Sequence, residues 1–324
     1  MCIRDRTYRA KVQDGQVKEL VGWENDKDPS PIGSGILDVQ HGPTRIDAPM
    51  VRKSWLENGP GSKNHLRGRD PFVEISWDKA EKIVAQELNR VKSKFGNSAI
   101  YGGSYGWASA GRFHHAQSQL HRFLNCIGGY TRSKFTYSFA AAEAMVPHIL
   151  GSYRAYLDTC TSWDLIKNST KLFVCFGGVP LKNGQICQGG TGNHYQKESI
   201  ISAASSGIEF VNVSPLKSDL MDEAGGKWLS LRPNTDTALM LGIAHTLHIE
   251  GLSDKDFLNK YTEGFDIFLN YLLGSNDGIQ KDANWAAEIC DIPANEIKEL
   301  ARRMVSNLSL IHISETTRPL YISY

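Results

Sequence analysis

The segment from Tyr101 to Gly151 holds the side chains best suited to chemistry. A glycine-punctuated loop, Gly102-Gly103-Ser104-Tyr105-Gly106-Trp107, follows the short apolar run Ala99-Ile100-Tyr101. Glycine lets a backbone pass close to a ligand or take positive φ. Tyr105 and Trp107 carry large rings with polar tips, which suit a pocket that is apolar in body and needs one or two donors. The same spacing fits a loop whose two aromatics simply pack over a core. Ser138 stands ahead of the alanine-rich run Ala140-Ala141-Ala142, where a helix-capping serine would also stand. His114, His115 and His121 lie on or near a helix-patterned segment. They read as solvated or hydrogen-bonded histidines, because the sequence supplies neither a fourth metal ligand nor the outer carboxylates that orient one.

Composition narrows the chemistry. The 324 residues suffice for two ordinary domains or one large α/β unit. Apolar residues at 41% and charged residues at 22% are globular values. A net charge of +1 gives no electrostatic case for nucleic acid or an acidic membrane. No window reaches the roughly eighteen uninterrupted apolar residues of a membrane span. The six cysteines include no C-x-x-C pair, which argues against a zinc ribbon, a thioredoxin-like motif and an iron–sulfur cluster within this chain.

Periodicity supplies the elements that must position those residues. Asp14-Gly15 between two strand-like runs predicts a hairpin in a small β-rich N-terminal region, residues 7–58. Phe72 to Ile75 reads as a strand and Ser76 as the N-cap of a packing helix that Gly96 ends. Phe113 to Ile127 marks a second helix, closed by Gly128-Gly129. Leu172 to Phe176 is an unbroken apolar run, as in a strand buried on both faces. A helix from about Tyr195 to Ala204 then leads to a second strand, Ile208 to Val213, as a parallel crossover. Trp228 to Leu231 predicts a third strand, and the helix from about Thr237 shows Ala238, Leu241, Ala244 and Leu247 on one face. Ser253 reads as the cap of a short helix, and Pro293 starts the last one. Residues 59–307 are thus α/β: a doubly wound, mainly parallel sheet with flanking helices.

In such sheets ligands bind beyond the carboxyl ends of the strands. Gly102–Trp107, Gly177–Gln185 and Ser214–Ser218 compete for that role. Arg232–Asp236 precedes a helix, where backbone N–H groups can hold an anion. None forms a G-x-G-x-x-G or Walker loop, which weakens a nicotinamide dehydrogenase as the alternative enzyme. A non-enzymatic subunit of the same fold is the other alternative.

Taken in order, the runs GPTRI, APMVR, GGSYGW, TYSFAAAEAMVPHILG and RPNTDTALMLGIAHTL resemble the molybdopterin oxidoreductases. The similarity is to the branch of dimethyl sulfoxide, trimethylamine N-oxide and biotin sulfoxide reductases, over about Tyr8 to Met304. The resemblance implies an enzyme that reduces S-oxides or N-oxides by oxygen-atom transfer. It implies molybdenum held by two molybdopterin guanine dinucleotides, with Ser138 as the metal ligand and Tyr105 and Trp107 as the catalytic aromatics beside it. A metal's charge makes a serine alkoxide plausible where free serine stays protonated. Cofactor contacts carried over by position are Tyr105, Gly106, Trp107, Ala108, Ser109, Lys182, Asn183, Val213, Ser214, Asn234, Thr235 and Asp236. Asp236 can accept from the guanine ring N–H and amine together; as first-turn acid it equally fits a helix start.

Two departures from the family pattern stand out: Thr136-Tyr137-Ser138-Phe139 lacks the aspartate and threonine common around that serine, and Ser214 stands where aspartate is common. With no cluster-binding cysteines, electrons are expected from an external donor, a c-type cytochrome or a reductase. The resemblance favours the periplasm, with the cytoplasm as the alternative. Residues 1–6 and 308–324 resemble translated sequencing-adapter read-through and are expected to be artefacts flanking a piece of a longer protein.

Overall fold

Asp14 and Gly15 both take positive φ, 52° and 73°, the backbone that a tight hairpin turn requires. They join β1 (Tyr8–Gln13) to β2 (Gln16–Gly22) as an antiparallel pair. The computed structural model describes residues 7–40, 42–104, 115–136, 139–154, 161–185, 193–307 and 311–314. The chain divides into two compact units, residues 1–136 with 188–192 and residues 137–187 with 193–324.

In the first unit, α1 (Ile32–Gln40) follows the hairpin. The Tyr8 hydroxyl donates to the Ser30 carbonyl at 2.8 Å and accepts from Gly33 N–H at 3.1 Å. β3 (Met50–Arg52) leads into α2 (Lys53–Asn58) and pairs antiparallel with β4 (Phe72–Glu74). Buried Ser54 and Asp70 tie these pieces together: the Ser54 hydroxyl donates to Asp70, and Arg52 lies 3.2 Å from the same carboxylate. The Ser54 hydrogen bond, joined by Arg52, holds the Asp70 carboxyl below its ordinary pKa. α3 (Trp77–Phe95) starts at the predicted cap, with Ser76 Oγ accepting from Lys79 N–H at 3.3 Å, and ends at Gly96. Its expected packing role is not seen among the described residues. The helix buries no residue, and Trp77 is 70% exposed.

β5 (Tyr101–Gly102) precedes the aromatic loop. It pairs in parallel with β6 (Thr131–Arg132) across α4 (Ala116–Cys126). Gly102 is buried, and a Cβ there would lie 2.1 Å from Leu124 Cδ1. This glycine therefore serves close packing, unlike Gly103, where a Cβ would meet nothing nearer than the Tyr101 hydroxyl at 3.6 Å. His115 caps α4, with Nδ1 accepting from Ser118 N–H at 3.2 Å, and His121 stacks on Tyr130 at 5.3 Å. His115 and His121 thus have partners within the unit, while His114 lies outside the described residues.

The second unit begins with α5 (Ala140–Leu150) and α6 (Trp163–Ser169). Its centre is β7 (Leu172–Phe176), every residue of which is buried. After α7 (Leu181–Gly184) and α8 (Gln196–Ser205), β8 (Glu209–Ser214) pairs in parallel with β7. β9 (Lys227–Ser230) pairs in parallel with β8. Then follow α9 (Asp236–Ile249), α10 (Lys255–Tyr261), α11 (Phe265–Leu272), α12 (Ala283–Cys290) and α13 (Ala294–Ser306). Asp254, not Ser253, caps α10, accepting from Phe257 N–H at 2.9 Å. In the closing run expected to lie outside the fold, β10 (Ile311–Ser314) pairs in parallel with β7, giving the order β10-β7-β8-β9.

Alternation on β7 divides the core into two layers. Leu172, Val174 and Phe176 join Val211 and Val213 against α9, α12 and α13. Phe173 and Cys175 join Phe210 against Trp163 and Ile166 of α6 and Ile200 and Ala203 of α8. With helices on both faces of a parallel sheet, the unit is doubly wound as expected. The buried stripe of α9 differs from the predicted face. It comprises Ala238, Leu239, Gly242, Ile243, His245 and Thr246, because α12 and α13 cover this helix from the side as well as the sheet from above.

Candidate dinucleotide site

Parallel strands end together, so the loops leaving β7, β8 and β9 share one edge of the sheet. Beyond β7, Gly177 and Gly178 both take positive φ, 89° and 77°. That path turns the chain toward Pro180 and α7, which carries Lys182 and Asn183. Lys182 is exposed, and Asn183 is half-buried.

At the end of β8, Val213 and Ser214 are fully buried. The Val213 side chain belongs to the core, and its carbonyl accepts from Gly177 N–H at 2.8 Å. Ser214 Oγ donates to Asp219 Oδ2 at 2.5 Å and accepts from Leu216 N–H at 3.2 Å. Its carbonyl takes the Trp228 indole N–H at 2.8 Å. The Ser214 hydroxyl thus already has a partner as donor and as acceptor.

The loop after β9 is anchored at its start. Arg232 holds Asp291 through two hydrogen bonds, 2.8 and 2.6 Å, and its N–H donates to the Cys290 carbonyl at 3.0 Å. Asn234 turns through positive φ (65°), and the Thr235 hydroxyl donates back to the Arg232 carbonyl at 2.6 Å. This brings Asp236 to the first position of α9, half-buried. Its carboxylate has no hydrogen-bond partner among the described residues. The helix's own unpaired N–H groups lie at the same end.

A cleft of about 240 Å³ opens between the first two loops, lined by Pro180, Leu181, Lys182, Ser218, Asp219 and Met221. Sequence reasoning did not find Asp219 or Gln196. Gln196 is buried and donates to the carbonyls of Val179 and Pro180 at 3.5 and 3.4 Å. Gly184 lies against it, since a Cβ there would come within 1.7 Å of Gln196 Oε1. Neither side chain belongs to a motif or a periodic stripe, and only the folded loops bring them to the site.

The structure therefore brings Lys182, Asn183, Val213, Ser214, Asn234, Thr235 and Asp236 to one sheet edge. Tyr105, Gly106, Trp107, Ala108, Ser109 and Ser138 lie outside the described residues. Among the described residues no group of three or more His, Cys, Asp or Glu side chains is set to hold a metal. The residues at the sheet edge fit the nucleotide portion of a dinucleotide. Lys182 offers a cation to phosphate, α9 offers backbone donors at its N-terminus, and Asp236 offers an unspent acceptor to a base.

Comparison with known proteins gives the family. The Molybdopterin oxidoreductase family matches residues 45–317, and the Molybdopterin oxidoreductase N-terminal domain matches residues 7–41. This chain belongs to the molybdopterin oxidoreductase family. It is 40% identical over 304 residues to the dimethyl sulfoxide/trimethylamine N-oxide reductase of Cereibacter sphaeroides, covering 94% of this chain and 37% of that protein. It is 42% identical over 270 residues to the biotin sulfoxide reductase of the same organism, covering 83% and 36%. The trimethylamine-N-oxide reductase of Haemophilus influenzae is 38% identical over 303 residues. The chain thus spans little more than a third of the length of these relatives. Among solved structures, the acetylene hydratase of Pelobacter acetylenicus aligns with a TM-score of 0.57 at 19% identity, covering 96% of this chain and 38% of that one. That likeness bears on the fold alone. Molybdopterin oxidoreductase membership replaces the nicotinamide dehydrogenase alternative.

Proposed function

We propose that the chain supplies the dinucleotide-binding sheet, and part of the metal pocket, of a molybdenum-dependent reductase of S-oxides or N-oxides. One observation carries the reading: three separate loops with nucleotide-suited groups share one sheet edge, in a chain 40% identical to a dimethyl sulfoxide/trimethylamine N-oxide reductase. On this reading the cofactor is molybdenum with two molybdopterin guanine dinucleotides, which when bound supplies two-electron oxygen-atom chemistry. Lys182 and Asn183 face phosphate, and Val213 and Ser214 offer backbone. Asn234 and Thr235 shape the turn that presents Asp236 to the guanine N–H groups. Ser138 ligates the metal. Tyr105 and Trp107 donate hydrogen bonds that orient the oxide oxygen, and Gly106, Ala108 and Ser109 let the backbone approach the pterin.

Electrons come from an external donor, a c-type cytochrome or a reductase, with no iron–sulfur cluster in this chain. The periplasm is the proposed compartment. Taken by itself, the 324-residue chain is expected to hold no complete cofactor and to turn over no oxide.

The test is to produce the whole protein with molybdate in a host that makes the dinucleotide form. Molybdenum is measured by mass spectrometry, and GMP is measured after acid release. Two GMP per molybdenum and reduction of an S-oxide or N-oxide are expected. Ser138→Ala should lower turnover by more than the roughly 10–100-fold typical of outer-shell partners of a metal. Unchanged turnover in that variant would remove Ser138 as ligand.

A further inference from the structure

We infer that Asp219 is a positioning residue that clasps the β7 and β8 loops into the shape the nucleotide requires. The inference rests on the dinucleotide reading above. Three contacts from different parts of the sheet edge converge on this residue. Its carboxylate accepts from the buried Ser214 hydroxyl at 2.5 Å, at the end of β8. Its main-chain carbonyl accepts from Val179 N–H at 2.6 Å, in the β7 loop. Gly178, with φ of 77°, lies so close that a Cβ there would sit 2.4 Å from Asp219 Cβ and 2.6 Å from its carbonyl oxygen. No other residue type fits that contact without moving one of the loops.

The connection between Ser214 and Asp219 is itself held. Leu216 N–H donates to Ser214 Oγ, and Asn212 Nδ2 reaches the carbonyls of Leu216 and Lys217 at 3.4 and 3.2 Å. Asn212 lies within β8 and is 1% exposed, so the loop is fastened to the sheet at its base. Asp219 is also part of the cleft wall that Lys182 faces from the other loop. One residue therefore bears on both loops: its main-chain carbonyl holds the β7 loop that carries Lys182, and its carboxylate holds the turn that follows Ser214. A second consequence concerns Ser214. With its hydroxyl given to Asp219 and taken by Leu216, its effect on the ligand passes through the loop it fixes.

Two measurements on the 324-residue chain test this, with GDP as the probe. The first is hydrogen exchange without ligand. Asp219→Ala removes only the hydrogen bond to Ser214. It should speed exchange in residues 214–220 and, because the freed turn no longer holds the carbonyl at position 219 in place for Val179 N–H, in residues 177–183 as well. The second is GDP affinity by calorimetry. Asp219→Ala should weaken it about tenfold, as loss of a shared hydrogen-bonded anchor does. Asp219→Asn keeps a side-chain oxygen to accept from the Ser214 hydroxyl, which Asp219→Ala does not, and should recover most of the affinity. Ser214→Ala in the Asp219→Ala background should add little, since the two act as one unit.

Exchange confined to residues 214–220, or undiminished GDP affinity in Asp219→Ala, would overturn the clasp. If the wild-type chain takes no GDP although both loops loosen together in the variant, the dinucleotide reading fails. The functional role of the clasp then falls with it, while the mechanical coupling stands.

Discussion

His245 lies on the buried side of α9 and is 8% exposed, and its Nε2 has no hydrogen-bond partner among the described residues. Burial pushes its pKa below the ordinary 6.5; Asp282 opposes the shift, and His248 and Lys298 reinforce it. The folded state therefore binds this proton less readily than the unfolded chain does. Stability associated with the neutral ring is complete above pH 6.5 and declines as pH falls through 6.5 toward the lowered folded value. Melting temperatures measured between pH 8 and pH 5 should drop more steeply in wild type than in His245→Gln, whose side chain carries no titrating proton. Parallel curves would show that another group governs the acid limb. Lys281 solves the opposite problem at a buried site. Its ammonium donates to Asp277 at 2.6 Å and to the Ile279 carbonyl at 2.5 Å, and lies 4.5 Å from the Tyr271 ring centre. With those partners the charge stays buried without standing alone.

Between elements, the crossing of α9 with α12 is a close constraint. A Cβ on Gly242 would lie 2.7 Å from the Ala286 methyl and 3.4 Å from Ile297 Cγ2. Gly242→Leu should lower stability by about 1–3 kcal/mol, the usual result of overpacking a filled core. The urea midpoint should move while the slope stays constant; an unchanged midpoint would mean that the helices separate freely. This contact also shows what the sequence could and could not reveal. β7 was legible because five consecutive apolar residues have few alternatives to a doubly covered strand, and the Ser76 cap was legible because its chemistry is local. The buried stripe of α9 was not, since it depends on which helices arrive from later in the chain. Asp219 escaped notice for a similar reason. Its partners, Val179 and Gly178, are separated from it by a full crossover. The anchored turn Arg232–Asp236 lies between these cases: its residues marked a loop, while the Asp291 contact that orients it came only with the fold.

Across the molecule the two units are built differently. Among the described residues, Ile100 and Leu124 are the buried apolar side chains of the first unit, whereas the second holds both core clusters. Free energies of local opening follow buried apolar contact. Amide exchange should therefore be fastest across β1 to α4 and slowest in β7 and β8, with α9 close behind. Equal protection of the two units would contradict that order. The parallel sheet adds a kinetic consequence. Phe173 meets Phe210, and Val213 meets Leu229, only after the intervening chain has closed on itself; no two neighbouring strands of this sheet are joined by a hairpin turn. Nothing local can nucleate it, and loop-closure entropy must be met before any pairing rewards it. The hairpin at Asp14-Gly15 can form in microseconds. The sheet edge that gathers the candidate nucleotide contacts must therefore be among the last parts of the chain to assemble, and a ligand able to recognise it would meet a site completed only when folding of that unit is over.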